Sequence, residues 1–383
     1  MNFLNKKYHR IVIKIGSSLL IDNGKVRKQW LKNLAQDIAI LHQQNTEVII
    51  VTSGAVALGK EILKKQDSIK LSLPQKQACA SAGQIKLMSI YYDIFAKENL
   101  AIAQILLTAS DCNARERFFN CQNTINNLLS NNAIPIINEN DSIAVDEIKI
   151  GDNDRLASRV AQMVNADLLI LFSDIDGLYD KNPKTNSDAK FIKEVKAIDS
   201  KIEKMAKGSS SKVGTGGMVT KIQAVKMLRN SNCHTVITSG IENNPLEKLI
   251  QKNKKFTIFY PTTNKDNNSN LTNNNPDSRS TWLRGVVNPK GEIIINKLAS
   301  QTLQNKKASL LAVGAIAVKG NFNKGDIIFI KEIKGQHIAT GITNYSSLDA
   351  KKILEKNSQE IKKILGNSAK PELVHLDNLV IVC

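Results

Sequence analysis

Acidic and amide side chains gather after one apolar segment of this 383-residue sequence. The apolar run 133–137 leads into residues 138–141 (NEND), and residues 151–154 (GDND) follow shortly afterwards. Such a run is typical of a strand buried in a parallel sheet, and ligands bind beyond the carboxyl ends of those strands. A helix start capped by Asp152 or Asn153 is the alternative, but it explains one residue rather than the set. The pattern predicts a site for an ammonium group, a hydroxyl or a metal.

Two other strand ends have a composition suited to phosphate. Lys14 lies in the apolar run 11–15, just before Gly16. A lysine is costly to bury in such a strand unless an anion pairs with it. Residues 51–55 (VTSGA) end another run with small residues, whose backbone N–H groups can open onto a helix N-terminus.

A glycine-rich segment at 214–221 (GTGGMVTK) runs into a helical pattern, with Lys221 one turn inside. Glycines let backbone amides approach phosphates closely, and the lysine adds charge. The alternative is a flexible surface loop before a helix. The segment does not match GxxxxGK[ST], which disfavours a P-loop NTPase, and the protein-kinase signatures HRD and DFG do not appear as a set.

The elements that must position these residues alternate between strands and helices. Apolar residues recur at helical spacing across 26–41, between the first two candidate strands. This alternation predicts an α/β fold with a mostly parallel sheet between layers of helices. The candidate strands are 10–15, 47–52, 101–107, 133–137, 167–172, 234–238 and 256–259.

The composition changes after the last of these strands. Residues 262–280 are rich in Asn and Ser and almost devoid of apolar side chains, so they predict a linker or long loop. Glycines then punctuate short β runs such as 292–295 and 326–330, which favours a small β-barrel or sandwich. A helical stretch at about 346–365 closes this region.

Composition narrows the class of protein. The length suggests two or three domains. No apolar run approaches the roughly 20 residues that span a bilayer. The apolar run near residue 11 is too short for the hydrophobic region of a signal peptide. We expect a cytoplasmic enzyme or binding protein. The five cysteines form no CxxC pair and the five histidines are scattered, so neither a zinc site nor a histidine-based triad is supported.

The net charge of +18 raises the alternative of nucleic-acid binding. The lysines, however, are spread along helix faces and loops in a chain that is also rich in Asn and Ile. A general compositional bias is therefore the favoured interpretation.

Taken together, these motifs resemble the amino-acid kinase family, and within it the members that phosphorylate glutamate. The distal region resembles a PUA domain on residues 313–316 and 320–326. The resemblance implies a kinase domain at 1–261, an Asn-rich linker at 262–280, a small β-rich PUA barrel at 281–365 and a C-terminal tail at 366–383. The segments that carry it are VIKIGSS, VTSGAVALG, LLTASD, RERFFN, PIINENDSIA, GDND, DIDGLYDKNP and GTGGMVTK.

The resemblance implies that ATP, with Mg²⁺, donates its γ-phosphoryl group to the side-chain carboxylate of L-glutamate, in the first step of proline biosynthesis. A carboxylate is already ionised near neutral pH, so no general base is required. The protein must position two anions and neutralise charge on the transferring group. Lysines, glycine amides and the metal ion supply that.

The same resemblance assigns roles to individual positions. The catalytic residues are Lys14, Lys221 and Asp154. The glutamate-binding residues are Ser53, Asp141 and Asn153, with Asp141 facing the substrate ammonium. Gly54 offers a backbone amide, and Ser173 stands where relatives often have Thr, which keeps the hydroxyl. The nucleotide-binding residues are Lys14, Gly16, Ser173, Asp174, Thr215, Gly216, Gly217, Met218, Val219, Thr220 and Lys221.

Partners follow from the resemblance as well. We expect proline as a feedback inhibitor and a homo-oligomer, either a dimer or a tetramer. PUA modules bind RNA elsewhere, but few aromatic side chains here are placed for base stacking, so a scaffold or assembly role is favoured. Two other readings remain open, namely a different acceptor within the same fold and an RNA-binding protein with a kinase-like scaffold.

Overall fold

The computed structural model divides the chain into two compact units, Met1–Lys265 and Asp266–Cys383. The predicted linker at 262–280 lies outside the described residues, so its boundaries stay a prediction. Where the structure is described, no helix is both long and apolar enough to cross a membrane. The described residues are 8–22, 24–65, 71–144, 153–207, 217–229, 231–251, 254–261, 282–283, 289–305 and 308–382.

Strands and helices alternate along the first unit. Its strands are β1 (Arg10–Lys14), β2 (Ile21–Asp22), β3 (Lys25–Val26), β4 (Glu47–Val51), β5 (Ala101–Leu107), β6 (Ala133–Glu139), β7 (Leu168–Ser173), β8 (Leu178–Tyr179), β9 (Phe191–Ile192), β10 (Glu194–Val195), β11 (His234–Ser239) and β12 (Phe256–Phe259). Its helices are α1 (Ser17–Leu20), α2 (Lys28–Gln43), α3 (Ala55–Ile62), α4 (Leu73–Phe95), α5 (Ala109–Asn113), α6 (Arg115–Ser130), α7 (Asn153–Met163), α8 (Ser200–Lys207), α9 (Met218–Met227) and α10 (Pro245–Ile250).

Eight strands form one sheet in the order β10-β12-β11-β7-β1-β4-β6-β5. Every pair in it is parallel except β11 with β12. The mostly parallel sheet predicted from the sequence is confirmed, and all seven candidate strands are present with ends shifted by at most two residues. The strands of the first unit that sequence patterns missed are each two residues long, too short to show a period.

The centre of the sheet is covered on both faces. Ile13 packs in one core with Trp30 of α2 and Leu87 of α4, and Val12, which points to the opposite face, is also fully buried. Because successive residues of a strand face opposite sides, this burial explains the continuous apolar run around Lys14.

Helices α3 and α4 pack backbone to backbone through two glycines. A Cβ at Gly83 would lie 1.8 Å from the carbonyl oxygen of Ala55, and one at Gly59 would lie 1.7 Å from that of Cys79. No side chain fits in these gaps, so α3 is held directly against α4. This contact fixes the N-terminus of α3 relative to β4, the strand that precedes it.

The second unit is built around a five-stranded sheet in the order β15-β13-β16-β17-β19, beside the pair β14–β18. Its strands are β13 (Gly291–Ile295), β14 (Leu310–Leu311), β15 (Ala315–Gly320), β16 (Ile327–Glu332), β17 (His337–Ile342), β18 (Glu372–Val374) and β19 (Leu379–Ile381). Its helices are α11 (Lys297–Asn305), α12 (Ser347–Lys352) and α13 (Ser358–Leu365).

Two expectations for this unit need correction. Residues 366–383 are not a separate tail, because β18 pairs with β14 and β19 pairs with β17, with Leu373 and Val374 fully buried. The helical stretch at 346–365 is two helices, since Glu355 adopts a left-handed φ of 59° and Asn357 caps a new helix start.

Candidate active site

The predicted site residues lie at the edge of the sheet where the carboxyl ends of parallel strands meet. Lys14 ends β1, Ser53 follows β4, Asp141 follows β6 and Ser173 ends β7. These strands are adjacent in the order β7-β1-β4-β6. Ligands bind outside this edge in open α/β sheets, so the topology explains why residues far apart in sequence come together.

Three buried charges form the centre of the site. The Nζ of Lys14 lies 2.7 Å from Oδ1 of Asp154, and the Nζ of Lys221 lies 3.0 Å from Oδ2 of the same carboxylate. The side chain of Asp154 is 1% exposed, and Thr220 Oγ1 donates to its Oδ2 at 3.1 Å. Asp154 reaches this point from the first turn of α7, and Lys221 from the first turn of α9.

The two lysines set the ionisation of Asp154. Burial by itself would raise the pKa of its carboxyl, but the charges and hydrogen bonds of Lys14 and Lys221 outweigh burial and hold the pKa well below its usual range. Burial also lowers the pKa of Lys221, while Asp154 opposes that shift. With the carboxylate and both ammonium groups ionised, the cluster carries one surplus positive charge, which suits an incoming anion.

A pocket of about 530 Å³ lies beside this cluster and is lined by Ser53, Asp141 and Asn153. The structure therefore brings together the three residues predicted to bind glutamate. Burial raises the pKa of Asp141 to about 6, because no cation in the described residues compensates for its desolvation. Gly54 ends the loop at the pocket with a φ of 110°, just before α3 begins.

Asn138 also lines the pocket. The NEND segment that contains it was predicted to be part of a site, but no individual role was predicted for Asn138. Its Oδ1 accepts from Asn153 Nδ2 at 3.1 Å, and the same Nδ2 donates to the carbonyl of Thr52 at 2.6 Å and to Ser53 Oγ at 2.7 Å. Asn138 is the second-last residue of β6. Residues at the carboxyl ends of parallel strands lie near the edge of the sheet where ligands bind, so this position could have identified Asn138 as a site residue.

The predicted nucleotide-binding residues are only partly described. Thr215 and Gly216 lie outside the described residues, and Gly217 directly precedes α9 with open space where a Cβ would be. Ser173 Oγ donates to Asp174 Oδ1 at 3.2 Å. Asp174 pairs with Lys184 at 2.9 Å, and although burial opposes it, this partner lowers the pKa of Asp174.

The remaining nucleotide candidates surround the charged cluster. Gly16 precedes α1, and a Cβ there would lie 3.7 Å from the Nζ of Lys14. Met218 is buried, whereas Val219 is exposed. Within the described ranges, no group of three or more His, Cys, Asp or Glu residues is arranged to hold a metal ion.

Comparison with solved structures finds weak similarity over about two-thirds of the chain. The UMP kinase from Ureaplasma parvum covers 67% of this chain and 100% of its own, with 16% identity and a TM-score of 0.46. The carbamate kinase from Giardia lamblia bound to AMP-PNP covers 66% of this chain and 98% of its own, with 16% identity and a TM-score of 0.47.

Sequence comparison extends over nearly the whole chain. The glutamate 5-kinase of Pelagibacter ubique is 47% identical over 371 residues, 97% of each chain, and that of Bartonella henselae is 43% identical over 377 residues, 98% of this chain and 96% of its own. A model of the amino acid kinase family matches residues 9–239, and a PUA domain model matches 291–365. The chain therefore belongs to the amino acid kinase family, in which these curated relatives are glutamate 5-kinases, and it carries a PUA domain after its kinase region.

Proposed function

We propose that this kinase is a cytoplasmic enzyme that transfers the γ-phosphoryl group of ATP to the side-chain carboxylate of L-glutamate, giving L-glutamyl 5-phosphate. The observation that carries the proposal is the buried Lys14–Asp154–Lys221 cluster beside a polar pocket. The names of the curated relatives support glutamate as the acceptor.

The chemistry requires two anions to meet. A glutamate carboxylate oxygen attacks the γ-phosphorus, the bond from that phosphorus to the bridging oxygen breaks, and ADP leaves with the bond's electrons. Lys14 and Lys221 neutralise charge on the transferring group, where fixed cations in a site shielded from water are most effective. Asp154 orients both ammonium groups from one carboxylate. No proton transfer is needed, because the acceptor is already ionised.

The pocket is suited to the amino-acid end of the acceptor. Asp141 is buried enough that its carboxylate is destabilised without a cation, and the substrate ammonium supplies one. Ser53 and Asn153 line the same pocket. Glutamate anchored there directs its side chain toward the lysine cluster.

Mg²⁺ fits as an ion held mainly by the phosphates. The ion prefers oxygen ligands and keeps several waters and phosphate oxygens rather than a cage made of protein. Asp154 pairs with two buried lysines, whereas Asp174 forms an ion pair with the exposed Lys184 and accepts a hydrogen bond from Ser173. We assign Asp174 to face the ion, which would supply charge neutralisation on the phosphates.

A hydroxylamine-trapping assay tests the proposal. Acyl phosphates react with hydroxylamine to give hydroxamates, so the enzyme with ATP and glutamate should yield hydroxamate in proportion to the ADP formed. Aspartate and N-acetylglutamate, assayed in parallel, should give little. A preference for either of those acceptors, or ADP formation without hydroxamate, would contradict the assignment.

We further propose that the product enters proline biosynthesis, that proline inhibits the enzyme and that the chain forms a homo-oligomer. These proposals rest on the resemblance described above. Inhibition by proline in the hydroxamate assay and the mass measured by light scattering test them. RNA binding by the second unit remains the disfavoured alternative.

A further inference from the structure

Three buried amide side chains form a hydrogen-bonded series beneath the glutamate pocket. Asn153 Nδ2 donates to Asn138 Oδ1 at 3.1 Å, and Asn138 Nδ2 donates to Gln84 Oε1 at 2.9 Å. Each of the three is at least nine-tenths buried. Gln84 comes from the middle of α4, far in sequence from every residue assigned to the site.

The direction of this series is fixed at its Asn153 end. The Asn153 amide lies 2.6 Å from the backbone carbonyl of Thr52, and a carbonyl can only accept a hydrogen bond. The atom that faces it is therefore the NH₂ group. That group also faces Asn138, which must present its oxygen, so the NH₂ group of Asn138 turns to Gln84. Gln84 then presents its oxygen to Asn138, and its own NH₂ group is buried without a hydrogen-bond partner in the described residues.

The series determines which hydrogen-bonding atom of Asn153 is available to a ligand in the pocket. Asn153 Oδ1 is buried and has no hydrogen-bond partner within the described residues, while Asn153 lines the pocket. Since its NH₂ group is occupied, Asn153 can offer a ligand only an acceptor. An acceptor beside the carboxylate of Asp141 suits an ammonium group and disfavours a second carboxylate.

We propose that Gln84 is a positioning residue for the amino-acid substrate. Its Oε1 accepts from Asn138 Nδ2 and so holds in place the side chain whose Oδ1 accepts from Asn153. Gln84 follows Gly83, which holds α4 against α3, so the acceptor is delivered from a rigid helix. The inference rests on the proposed function and names the residue that orients the ammonium end of its substrate.

The test is Gln84→Met, which keeps the length and volume of the side chain and removes the acceptor. We expect the KM for glutamate to rise about fivefold to tenfold, as for the loss of one buried hydrogen bond. The kcat and the KM for ATP should stay within about twofold. Discrimination between glutamate and glutarate, which lacks the ammonium group, should fall, measured as the glutarate Ki divided by the glutamate KM.

Tyr91→Phe is the matched control. Tyr91 lies on the same helix, and its hydroxyl makes a buried hydrogen bond to the side-chain Oγ1 of Thr52 at 2.9 Å. The amide series contacts only the backbone carbonyl of Thr52. Both variants should lose similar thermal stability, but only Gln84→Met should change the KM for glutamate. If Gln84→Met does not fold, Gln84→Asn replaces it, since its shortened amide no longer reaches Asn138.

The outcomes separate this inference from the proposed function. A wild-type enzyme without glutamate-dependent acyl phosphate formation would remove both. A wild-type enzyme that is active, together with a folded Gln84 variant whose glutamate KM and glutarate discrimination are unchanged, overturns the role of Gln84 alone. Equal changes in Tyr91→Phe would show a general effect of loosening α4 and would also overturn it.

Discussion

Two lysines depend on a single carboxylate at the centre of the candidate active site. Lys14 and Lys221 are nearly inaccessible to solvent, and burying an ammonium group without an anion is costly. Asp154 offsets one charge and leaves the other for the ligand. The cluster is therefore arranged to accept an anion without further rearrangement of its charges.

Replacement of either lysine should abolish most of the turnover. We expect Lys14→Ala and Lys221→Ala each to lower kcat by on the order of 10²-fold or more, because each removes a charge aimed at the transition state. Hydroxamate formation at saturating substrates measures this. Lys226→Ala, an exposed lysine on the same helix as Lys221, is the control and should be unaffected. Near-normal turnover in a folded Lys14 or Lys221 variant would exclude that lysine from the reaction.

Glutamate binding should weaken as the solution becomes acidic. The pKa of Asp141 is raised to about 6 by burial, so its carboxylate is ionised at pH 7.5 and increasingly neutral below about pH 6. Only the ionised form attracts the substrate ammonium, and each pH unit below about 6 should raise the glutamate KM roughly tenfold.

Asp141→Asn separates this effect from other titrations. The variant should have a high glutamate KM that no longer changes between about pH 5 and 7.5, with a much smaller change in the KM for ATP. Steady-state kinetics across that range measure both constants. If the KM for ATP rises instead, Asp141 belongs with the nucleotide and its metal ion.

Sequence patterns identified charged site residues better than neutral ones. Lys14 was recognisable because a lysine interrupts an apolar strand, and Asp154 because it follows a strand end in a polar cluster. No sequence pattern distinguished Gln84, since a glutamine inside a helix is usually a surface residue. The pairing of Asp174 with Lys184 was equally invisible, because it depends on how a loop folds back.

At the level of elements, the contact between α3 and α4 supports the pocket. Gly83 leaves no space for a methyl group, since its Cβ would lie 1.8 Å from the carbonyl oxygen of Ala55. Ala55 is the first residue of α3 and lines the pocket. A displacement of α4 would therefore be felt where the substrate binds.

Gly83→Ala should destabilise the protein and weaken glutamate binding. Separating the helices should cost about 3 kcal/mol of unfolding free energy, in the upper range for overpacked interiors. Urea denaturation and the glutamate KM measure the two effects. Ser81→Ala, on the exposed side of the same helix, should change neither. A Gly83→Ala enzyme with normal stability would mean that the helices separate at little cost.

Elements were predictable where their apolar pattern was long. Six of the seven candidate strands are runs of mostly buried residues. The seventh, β5, lies at an edge of the sheet and is only partly buried. Helix α2 shows a helical period. The split between α12 and α13 was not foreseen, because apolar spacing continues across a break caused by Glu355 and the Asn357 cap. The strands after 366 were missed because each has only three residues.

On the scale of the whole molecule, every described residue assigned to catalysis or binding lies in the first unit. A chain truncated after Pro261 should therefore still form acyl phosphate from ATP and glutamate, with any change confined to assembly or inhibition by proline. Hydroxamate assays on the soluble truncated protein test this, after its folding is checked by circular dichroism. A folded truncation without activity would show that the second unit completes the site.

The position of β1 has a consequence for how this protein is made. β1 is synthesised before both of its neighbours in the sheet, β4 and β7, between which it lies. One of its edges has no partner until residues 168–173 have been synthesised, and an unpaired apolar strand invites association with other chains. The charged cluster is likewise incomplete until Asp154 on α7 and Lys221 on α9 have been synthesised. We therefore expect the nascent chain to be prone to aggregation until β7 has been synthesised and can pair with β1. We expect it to be inactive until α9 has also folded.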